Sequence, residues 1–353
     1  MADDQGARRV TVHDVARQAG VSLATVDRVL NGRAGVSPAT TEKVENAIHL
    51  LDFRRDLSAS LLARARDLRI TFIIPDGGNA FMQHLERAVE TTARLVRGER
   101  THVELQHVRP LDARALAAAL DGLTPRSCDC AVIVATDDDI VRRAVDATTR
   151  RGIEVVTLVS DLPGSSRRFF VGIDNVAAGR TAASLLGRFC SGGKIGVIAG
   201  SLGLRDHRER LDGFAALIAS EFPALTLVGP LEGRDDDDET RARATALLRA
   251  HPDLAGLYNA GAGNAGLLGA LGGFAGAARL RVVAHELSEP TRAGLTSGAI
   301  DVVLDQNPVG EIRAAVAAAR ALALRRGADA QPEPIEIGIF LRDNLRQEGS
   351  FKA

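Results

Sequence analysis

After residue 69 the chain alternates between short apolar runs and longer Ala- and Leu-rich stretches, and this alternation most restricts its fold. We predict eleven strands, from Arg69–Ile74 to Pro334–Phe340, with helices such as Val176–Arg188 between them. Strands that alternate with helices form parallel sheets that are covered by helices on both faces. Because eleven strands exceed one sheet of usual size, the pattern predicts two doubly wound subdomains.

The composition is that of an ordinary globular protein. The 353 residues are 45% hydrophobic and 25% charged, which argues against a disordered chain, a collagen or a coiled-coil rod. A net charge of -1 excludes a protein that binds polyanions over its whole surface, but not a small basic module. Three cysteines, Cys128, Cys130 and Cys190, favour buried thiols over a disulfide scaffold or a zinc site.

The sequence shows no signal for secretion or for the membrane. Residues 1–10, MADDQGARRV, lack the apolar core of a signal peptide. No apolar run reaches the roughly 18–20 residues that a membrane span needs. We therefore expect a cytoplasmic protein with no membrane partner.

Residues 10–53 predict three short helices with a tight turn between the first two. Thr11 and Ser22 are candidate caps for the first and second helices, Gly20 supplies the positive φ of the turn, and Ser37-Pro38 opens the third. A polar second helix after such a turn is the helix-turn-helix geometry that enters the major groove of DNA. The alternative is a small helical bundle that binds a protein partner or nothing.

This segment resembles the DNA-binding headpiece of the lactose-repressor (LacI) family. The match runs through Thr11-Val-His-Asp-Val-Ala, Ala19-Gly-Val-Ser and Thr25-Val-Asp-Arg-Val-Leu-Asn31-Gly. Asp27 stands where the family usually carries Ser, and its carboxylate can accept from cytosine N4. The resemblance implies that a homodimer binds a near-palindromic operator DNA. It assigns DNA contacts to Thr11, Val12, Ser22, Leu23, Ala24, Thr25, Asp27, Arg28, Asn31, Ser37 and Thr40.

Residues 54–69, RRDLSASLLARARDLR, resemble the hinge helix of the same family. In that family, paired Leu side chains from two subunits wedge into the minor groove at the operator centre. Leu62 falls at the matching position, and Ala59 is small enough to let two such helices approach. Arg55 occupies a place where the family often has Pro. The alternative interpretation is a charged linker whose arginines are solvated.

Polar side chains follow many of the predicted strands, where open parallel sheets bind their ligands. Amides, carboxylates and an Arg suit vicinal hydroxyls, which need donors and acceptors in close alternation. Residues 70–345 also resemble the sugar-binding core shared by LacI-type regulators and ribose-type periplasmic receptors, notably at Asn79-Ala-Phe-Met82 and Arg208-Glu-Arg-Leu-Asp-Gly-Phe214. Glu286 replaces the family's usual Asp. Strand position and resemblance together assign effector contacts to Asn79, Phe81, Met82, Asp138, Asp161, Arg210, Asn259, Glu286 and Gln306.

Gly261-Ala-Gly263-Asn-Ala-Gly266 is a glycine motif of the kind that binds dinucleotides, and Glu286 lies 286 − 266 = 20 residues beyond it. The motif begins too late for a complete nucleotide-binding pair with its own catalytic domain, so close helix–strand packing is the preferred explanation. The acidic run Asp235–Glu239 lacks the spacing of an EF-hand, and we expect a solvated loop that caps the next helix.

The sequence therefore predicts an α/β protein: an all-α helix-turn-helix headpiece and two doubly wound parallel-sheet subdomains of the periplasmic-binding-protein-like type I. The predicted domains are the headpiece (1–53), the hinge (54–69) and an effector-binding and dimerisation core (70–353). Within this core we expect an N-lobe of about 70–171 plus 306–332 and a C-lobe of about 172–305 plus 333–347.

The predicted function is that of a transcriptional repressor, with no enzymatic activity and no cofactor, controlled by a small sugar, polyol or inositol-like effector. Two alternatives belong to other classes. An NAD-binding protein or dehydrogenase would use the glycine motif. A solute-binding transport receptor would share the core, but it would need a signal peptide and no headpiece.

Overall fold

The computed structural model describes residues 10–30, 35–51, 53, 67–323 and 331–345. A helical N-terminal segment precedes two sheets that carry helices on both faces, which confirms the predicted α/β class. The strands are β1 (Leu68–Pro75), β2 (Thr101–Val108), β3 (Cys130–Ile133), β4 (Glu154–Leu158), β5 (Phe169–Val171), β6 (Gly193–Ala199), β7 (Leu225–Glu232), β8 (Leu254–Asn259), β9 (Arg281–His285), β10 (Val302–Asp305) and β11 (Gly338–Phe340).

The helices bury one apolar face each, either on one another in the N-terminal segment or on a sheet in the rest of the chain. The α-helices are α1 (Val12–Ala19), α2 (Leu23–Leu30), α3 (Pro38–Leu50), α4 (Ala80–Val96), α5 (Ala113–Asp121), α6 (Asp139–Arg150), α7 (Asn175–Phe189), α8 (Arg205–Glu221), α9 (Asp237–Ala250), α10 (Asn264–Gly272), α11 (Glu289–Ser297) and α12 (Pro308–Ala323).

Helices α1, α2 and α3 form the predicted three-helix unit. Gly20 ends α1 in the left-handed region at φ 66°, and its amide bonds back to the helix, so the chain turns at once into α2. The Ser22 hydroxyl accepts from the Thr25 amide at 3.1 Å, and Ser37 caps α3 in the same way. The core of the unit consists of Val15, Ala16, Ala19, Val26, Val44, Ala47 and Phe53.

The first sheet has the order β2-β1-β3-β4-β5 and is parallel throughout. Helices α4 and α12 cover one face, and α5 and α6 cover the other. The second sheet has the order β11-β10-β9-β8-β6-β7, with α7 and α8 on one face and α9, α10 and α11 on the other. Because all neighbouring strands except β10 and β11 are parallel, the polar loops at their carboxyl ends gather at one edge of each sheet.

All eleven predicted strands are present, and the last one differs from the prediction. Strand β11 pairs antiparallel with β10 at the edge of the second sheet, where parallel pairing was expected. The chain reaches this edge from α12, which packs on the first sheet, so it arrives without the helical crossover that a parallel pair requires. The predicted strand also began earlier, at Pro334, which has no amide hydrogen to donate to a ladder.

Helices α7 and α8 pack closely because each carries a glycine that faces the backbone of the other helix. A Cβ atom at Gly179 would lie 1.9 Å from the carbonyl oxygen of Arg210, and one at Gly213 would lie 2.2 Å from that of Val176. Only glycine allows this separation, because any Cβ would collide with main-chain atoms that cannot rotate away. This close helix contact fixes the position of Arg210 relative to the sheet.

We expect Gly179→Ala to lower the free energy of unfolding by about 1–3 kcal/mol, the usual cost of overpacking. Gly272→Ala is the matched control, because its Cβ would meet no atom within 4 Å among the described residues. Urea unfolding of both variants measures the effect. Equal stabilities of the two variants would contradict the proposed contact.

Candidate functional site

A cavity lies between the two sheets at the carboxyl ends of their strands. Its volume is about 30 Å³, and an outer cavity of about 390 Å³ shares five of its lining residues. The two cavities adjoin, and together they have the size of a small-ligand site. The inner cavity is lined by Asn79, Phe81, Met82, Val134, Val159, Ser160, Leu204, Asp206, His207, Arg210, Asp235, Ala262, Glu286 and Gln306.

Arg210 on α8 is a charged side chain that is 1% exposed. Its Nε donates to Asn175 Oδ1 at 2.9 Å and its Nη1 to the carbonyl oxygen of Ala260 at 2.8 Å. Carboxylate oxygens of Asp206 and Glu286 lie 3.8 Å and 3.9 Å from the guanidinium. Nη2 has no hydrogen-bond partner among the described residues. The guanidinium is thus held in place while one nitrogen remains available to a ligand.

Glu286 is a buried carboxyl in an unusual backbone conformation, with φ 69°. The Glu286 amide donates to the Leu304 carbonyl at 2.8 Å, and the Glu286 carbonyl accepts from Thr291 Oγ1 at 2.7 Å. These two bonds hold the residue in the left-handed region. Its Oε1 accepts from Gln306 Nε2 at 2.6 Å. Glu286 Oε2 and Gln306 Oε1 have no partner within the described part of the chain.

Burial raises the pKa of Glu286 to about 8, although the neighbouring Arg210 opposes the shift. A second carboxyl, Glu311 at the start of α12, is fully buried, and both of its oxygens are unpaired among the residues described. Burial, and then the nearby Glu286, hold the pKa of Glu311 well above its usual range. Both effects disfavour the charged forms, so Glu286, which lines the cavity, tends toward a neutral carboxylic acid.

Four more predicted contacts, Asn79, Phe81, Met82 and Asn259, lie at or next to the cavity, and Met82 lines both the inner and the outer one. Asn79 caps α4 by accepting from the Met82 amide at 2.9 Å, and Phe81 packs in the core of the first sheet. Asn259 is buried behind the lining, where its Nδ2 donates to Asn264 Oδ1 at 2.8 Å. Its Oδ1 has no partner in the described chain.

Two predicted contacts, Asp138 and Asp161, are not among the lining residues of either cavity. Asp138 caps α6 by accepting from the Ile140 amide at 2.7 Å. Asp161 accepts two bonds of 2.6 Å from Arg167 and one of 2.7 Å from Thr157. Both residues follow strands, but local partners already use their oxygens.

The structure adds polar lining residues that were not predicted from the sequence, among them Asp206, His207 and Asp235. Asp206 lies one turn before Arg210, and its Oδ1 is unpaired among the described atoms. His207 Nδ1 accepts from the Ser201 amide at 2.9 Å. Asp235 lines both cavities, although the acidic run from residue 235 to 239 was expected to be a solvated cap. Asp236 does cap α9. The i,i+4 spacing of Asp206 and Arg210 was the signal that could have found the first of the three.

The glycines of residues 261–266 lie where α9 packs closely against α10. A Cβ atom at Gly261 would lie 2.5 Å from the Gly200 amide nitrogen, and one at Gly266 would lie 1.7 Å from the Asp237 carbonyl oxygen. Gly263 has φ 79°. The backbone itself fills the space beside these glycines, which favours a packing role over pyrophosphate binding. These glycines pack against the start of α9 as well as against a strand. The expected helix–strand packing therefore explains only part of the glycine motif.

The N-terminal helices present a second surface. Leu23, Ala24 and Arg28 are exposed on α2, and Asp27 is half-buried beside them. The hydroxyls of Thr11, Ser22, Thr25, Ser37 and Thr40 take part in caps, and Val12 is half-buried. The remaining predicted DNA contacts, Asn31, Ala59 and Leu62, lie outside the described residues.

This architecture is that of a two-lobed ligand-binding protein with a helix-turn-helix unit. The chain belongs to the family described as periplasmic binding protein domain, which matches residues 70–327, and residues 11–56 match the family of bacterial regulatory proteins named after lacI. These matches confirm both resemblances seen in the sequence.

Curated relatives are similar over part of the chain. Catabolite control protein A of Staphylococcus xylosus is 44% identical over 84 residues, which are 24% of this chain and 26% of that protein. The HTH-type transcriptional regulator GalS of Salmonella typhimurium is 32% identical over 213 residues, 58% of each chain. The chain thus spans between a quarter and somewhat over half of the length of these relatives.

Solved structures share the two-sheet fold. A solute binding protein of an ABC transporter from Burkholderia graminis, in complex with D-arabinose, has a TM-score of 0.73 and 24% identity, with 79% of this chain and 97% of that chain covered. GanP, a glucose-galactose binding protein from Geobacillus stearothermophilus, has a TM-score of 0.72 and 18% identity over 80% and 100% of the two chains.

Within the described residues, every helix is too short or too polar to cross a membrane.

The raised pKa of Glu286 predicts a pH dependence of stability. The folded protein keeps a proton that the unfolded chain, with a pKa of 4.5, releases. This contribution to the free energy of unfolding is fully present below pH 4.5 and is lost as the pH rises through about 8. Glu286→Gln cannot ionise, so we expect the stability of the native protein to fall relative to this variant over that range. Urea unfolding at a series of pH values measures the difference, and a constant difference would contradict the account.

Proposed function

We propose that this protein is a sequence-specific DNA-binding regulator, a homodimeric repressor that responds to a small polyhydroxyl effector. The observation that carries the proposal is that one chain combines an exposed helix α2 in a lacI-type unit with a buried polar cleft between two sheets. A transport receptor would need the cleft alone. The exposed face of α2 would have no role in such a receptor, which makes it the weaker hypothesis.

The chemistry of the cleft supports an effector rich in hydroxyl groups. Around the cavity the described residues leave unpaired oxygens on Asp206, Asn259, Glu286 and Gln306, and one unpaired donor on Arg210. A hydroxyl group both donates and accepts, so a polyol can satisfy this mixed set in close alternation. A strongly anionic ligand would be repelled by these oxygens, which outnumber the one unpaired donor. The D-arabinose and glucose-galactose binding proteins with the same fold support a sugar or polyol.

The proposed domains follow the two sheets. The N-lobe consists of residues 70–171 plus 306–332, and the C-lobe of residues 172–305 plus 333–347. Nine of the fourteen lining residues of the inner cavity are buried and the other five are half-buried, so we expect an effector to reach this space when the lobes separate. Closure on the effector would move the two N-lobes of a dimer relative to each other. This motion would change the separation of the hinge segments, residues 54–69, and thereby the affinity for the operator.

Arg28 tests base recognition. We expect Arg28→Ala to cost about 1–3 kcal/mol on the selected operator, because an exposed Arg on α2 can donate two bonds to a guanine edge. Lys43→Ala on α3 removes the same charge from another exposed site and should leave the ratio of specific to random binding unchanged. The operator is selected from a random library, and both ratios are measured by fluorescence anisotropy. An unchanged ratio for Arg28→Ala would refute this docking of α2.

The effector site is tested by thermal shift against sugars, sugar acids, polyols and inositols, because a ligand that binds the folded state raises its stability. Arg210→Lys keeps the charge but loses the fixed fork of guanidinium donors, and Glu286→Ala removes the carboxyl group that faces the cavity. We expect both variants to lose the shift and to retain operator binding. Arg249→Ala, an exposed change on α9, is the control that should keep the shift. A shift retained by both cleft variants would place the effector elsewhere.

A further inference from the structure

The two lobes touch directly at the mouth of the cleft, beside the cavities. Asp137 follows β3 in the N-lobe, and Arg208 lies on the first turns of α8 in the C-lobe. Arg208 Nη2 donates to Asp137 Oδ2, and Arg142 Nη2 on α6 donates to Asp137 Oδ1. Asp137 thus uses its two oxygens for one arginine from each lobe.

The carboxylate of this contact is largely removed from solvent. The side chain of Asp137 is 10% exposed, and those of Arg208 and Arg142 are 36% and 28% exposed. Two bonds from guanidinium groups satisfy the carboxylate, so its partial burial is compensated only while Arg208 stays in place. Separation of the lobes would leave Asp137 with Arg142 alone.

Two backbone amides reinforce the same contact. The Asp137 amide donates to the Gly203 carbonyl at 3.3 Å, which crosses from the N-lobe to the C-lobe. The Arg205 amide at the start of α8 donates to Ser160 Oγ at 3.2 Å, which crosses in the opposite sense. Ser160 follows β4, and both it and Leu204 line the inner cavity. The bonds between the lobes therefore border the ligand site.

We propose that Asp137 and Arg208 form a clasp that holds the lobes closed and so sets the affinity for the effector without touching it. The proposal rests on the proposed function, in which the effector is enclosed by lobe closure. The apparent affinity of a ligand scales with the fraction of protein in the binding-competent form. The clasp raises that fraction before any effector binds, which makes these two side chains positioning residues.

The clasp is tested first in the effector-free full chain by hydrogen exchange. Asp137→Ala removes the carboxylate from the N-lobe, and the reporter is the Arg205 amide, whose own partner, Ser160, is unchanged. Arg208→Gln removes the guanidinium from the C-lobe, and the reporter is the Asp137 amide. We expect each reporter to exchange about threefold to tenfold faster, because opening breaks both bonds together. Arg281→Gln breaks the Arg281–Asp301 pair within the C-lobe and should leave both reporters unchanged.

A second measurement uses a polyol that the thermal-shift screen identifies. Both clasp variants should weaken its binding by about threefold to tenfold, mainly through faster release, and the double variant should be no weaker than either single one. Unchanged exchange at both reporters overturns the proposal, and so does additive loss of affinity in the double variant. If no polyol binds, the proposed effector fails, while the exchange experiment still decides the clasp.

Discussion

The burial of the Arg210 guanidinium is the interaction on which the cleft depends. A buried charge is tolerated only when hydrogen bonds and opposite charges compensate for lost water. Asn175 and Ala260 accept two of its bonds, and carboxyl oxygens of Asp206 and Glu286 lie within 4 Å of it. The helix that carries Arg210 reaches this position only because glycines let two helix backbones touch. The packing of these two helices therefore determines the position of the Arg210 guanidinium.

The same arrangement explains why the cavity is polar although most of its lining residues are buried. Each floor residue uses part of its hydrogen-bonding capacity on the fold and keeps part of it unpaired, as Gln306 does when it donates to Glu286. Unpaired buried polar atoms cost about 1–3 kcal/mol each. A ligand that pairs several of them recovers this energy when the lobes close. The backbone of Glu286 is strained, with φ at 69°. This strain likewise lowers the stability of the fold while it places the side chain for binding.

Much of the architecture was predictable, because periodicity and turn residues report directly on strands and helices. Val15, Val26 and Val44 form part of the core of the predicted three-helix headpiece. The direction of β11 was not predictable, since pairing at a sheet edge depends on where the chain returns in space. In the cleft, Arg210, Glu286 and Gln306 gather as expected, whereas local partners occupy Asp138 and Asp161. A polar residue after a strand can serve a cap, an ion pair or a ligand, and only three-dimensional neighbours distinguish these roles.

The central claim is that the cleft and the DNA-binding unit are energetically coupled. It is tested most directly by measuring operator affinity at zero and saturating concentrations of a bound polyol, and polyol affinity with and without operator. Coupling requires that the two affinities change by the same factor, because linkage is reciprocal. We expect equal factors of about 5 to 150. Operator and polyol affinities that are each unchanged by the other ligand would contradict it.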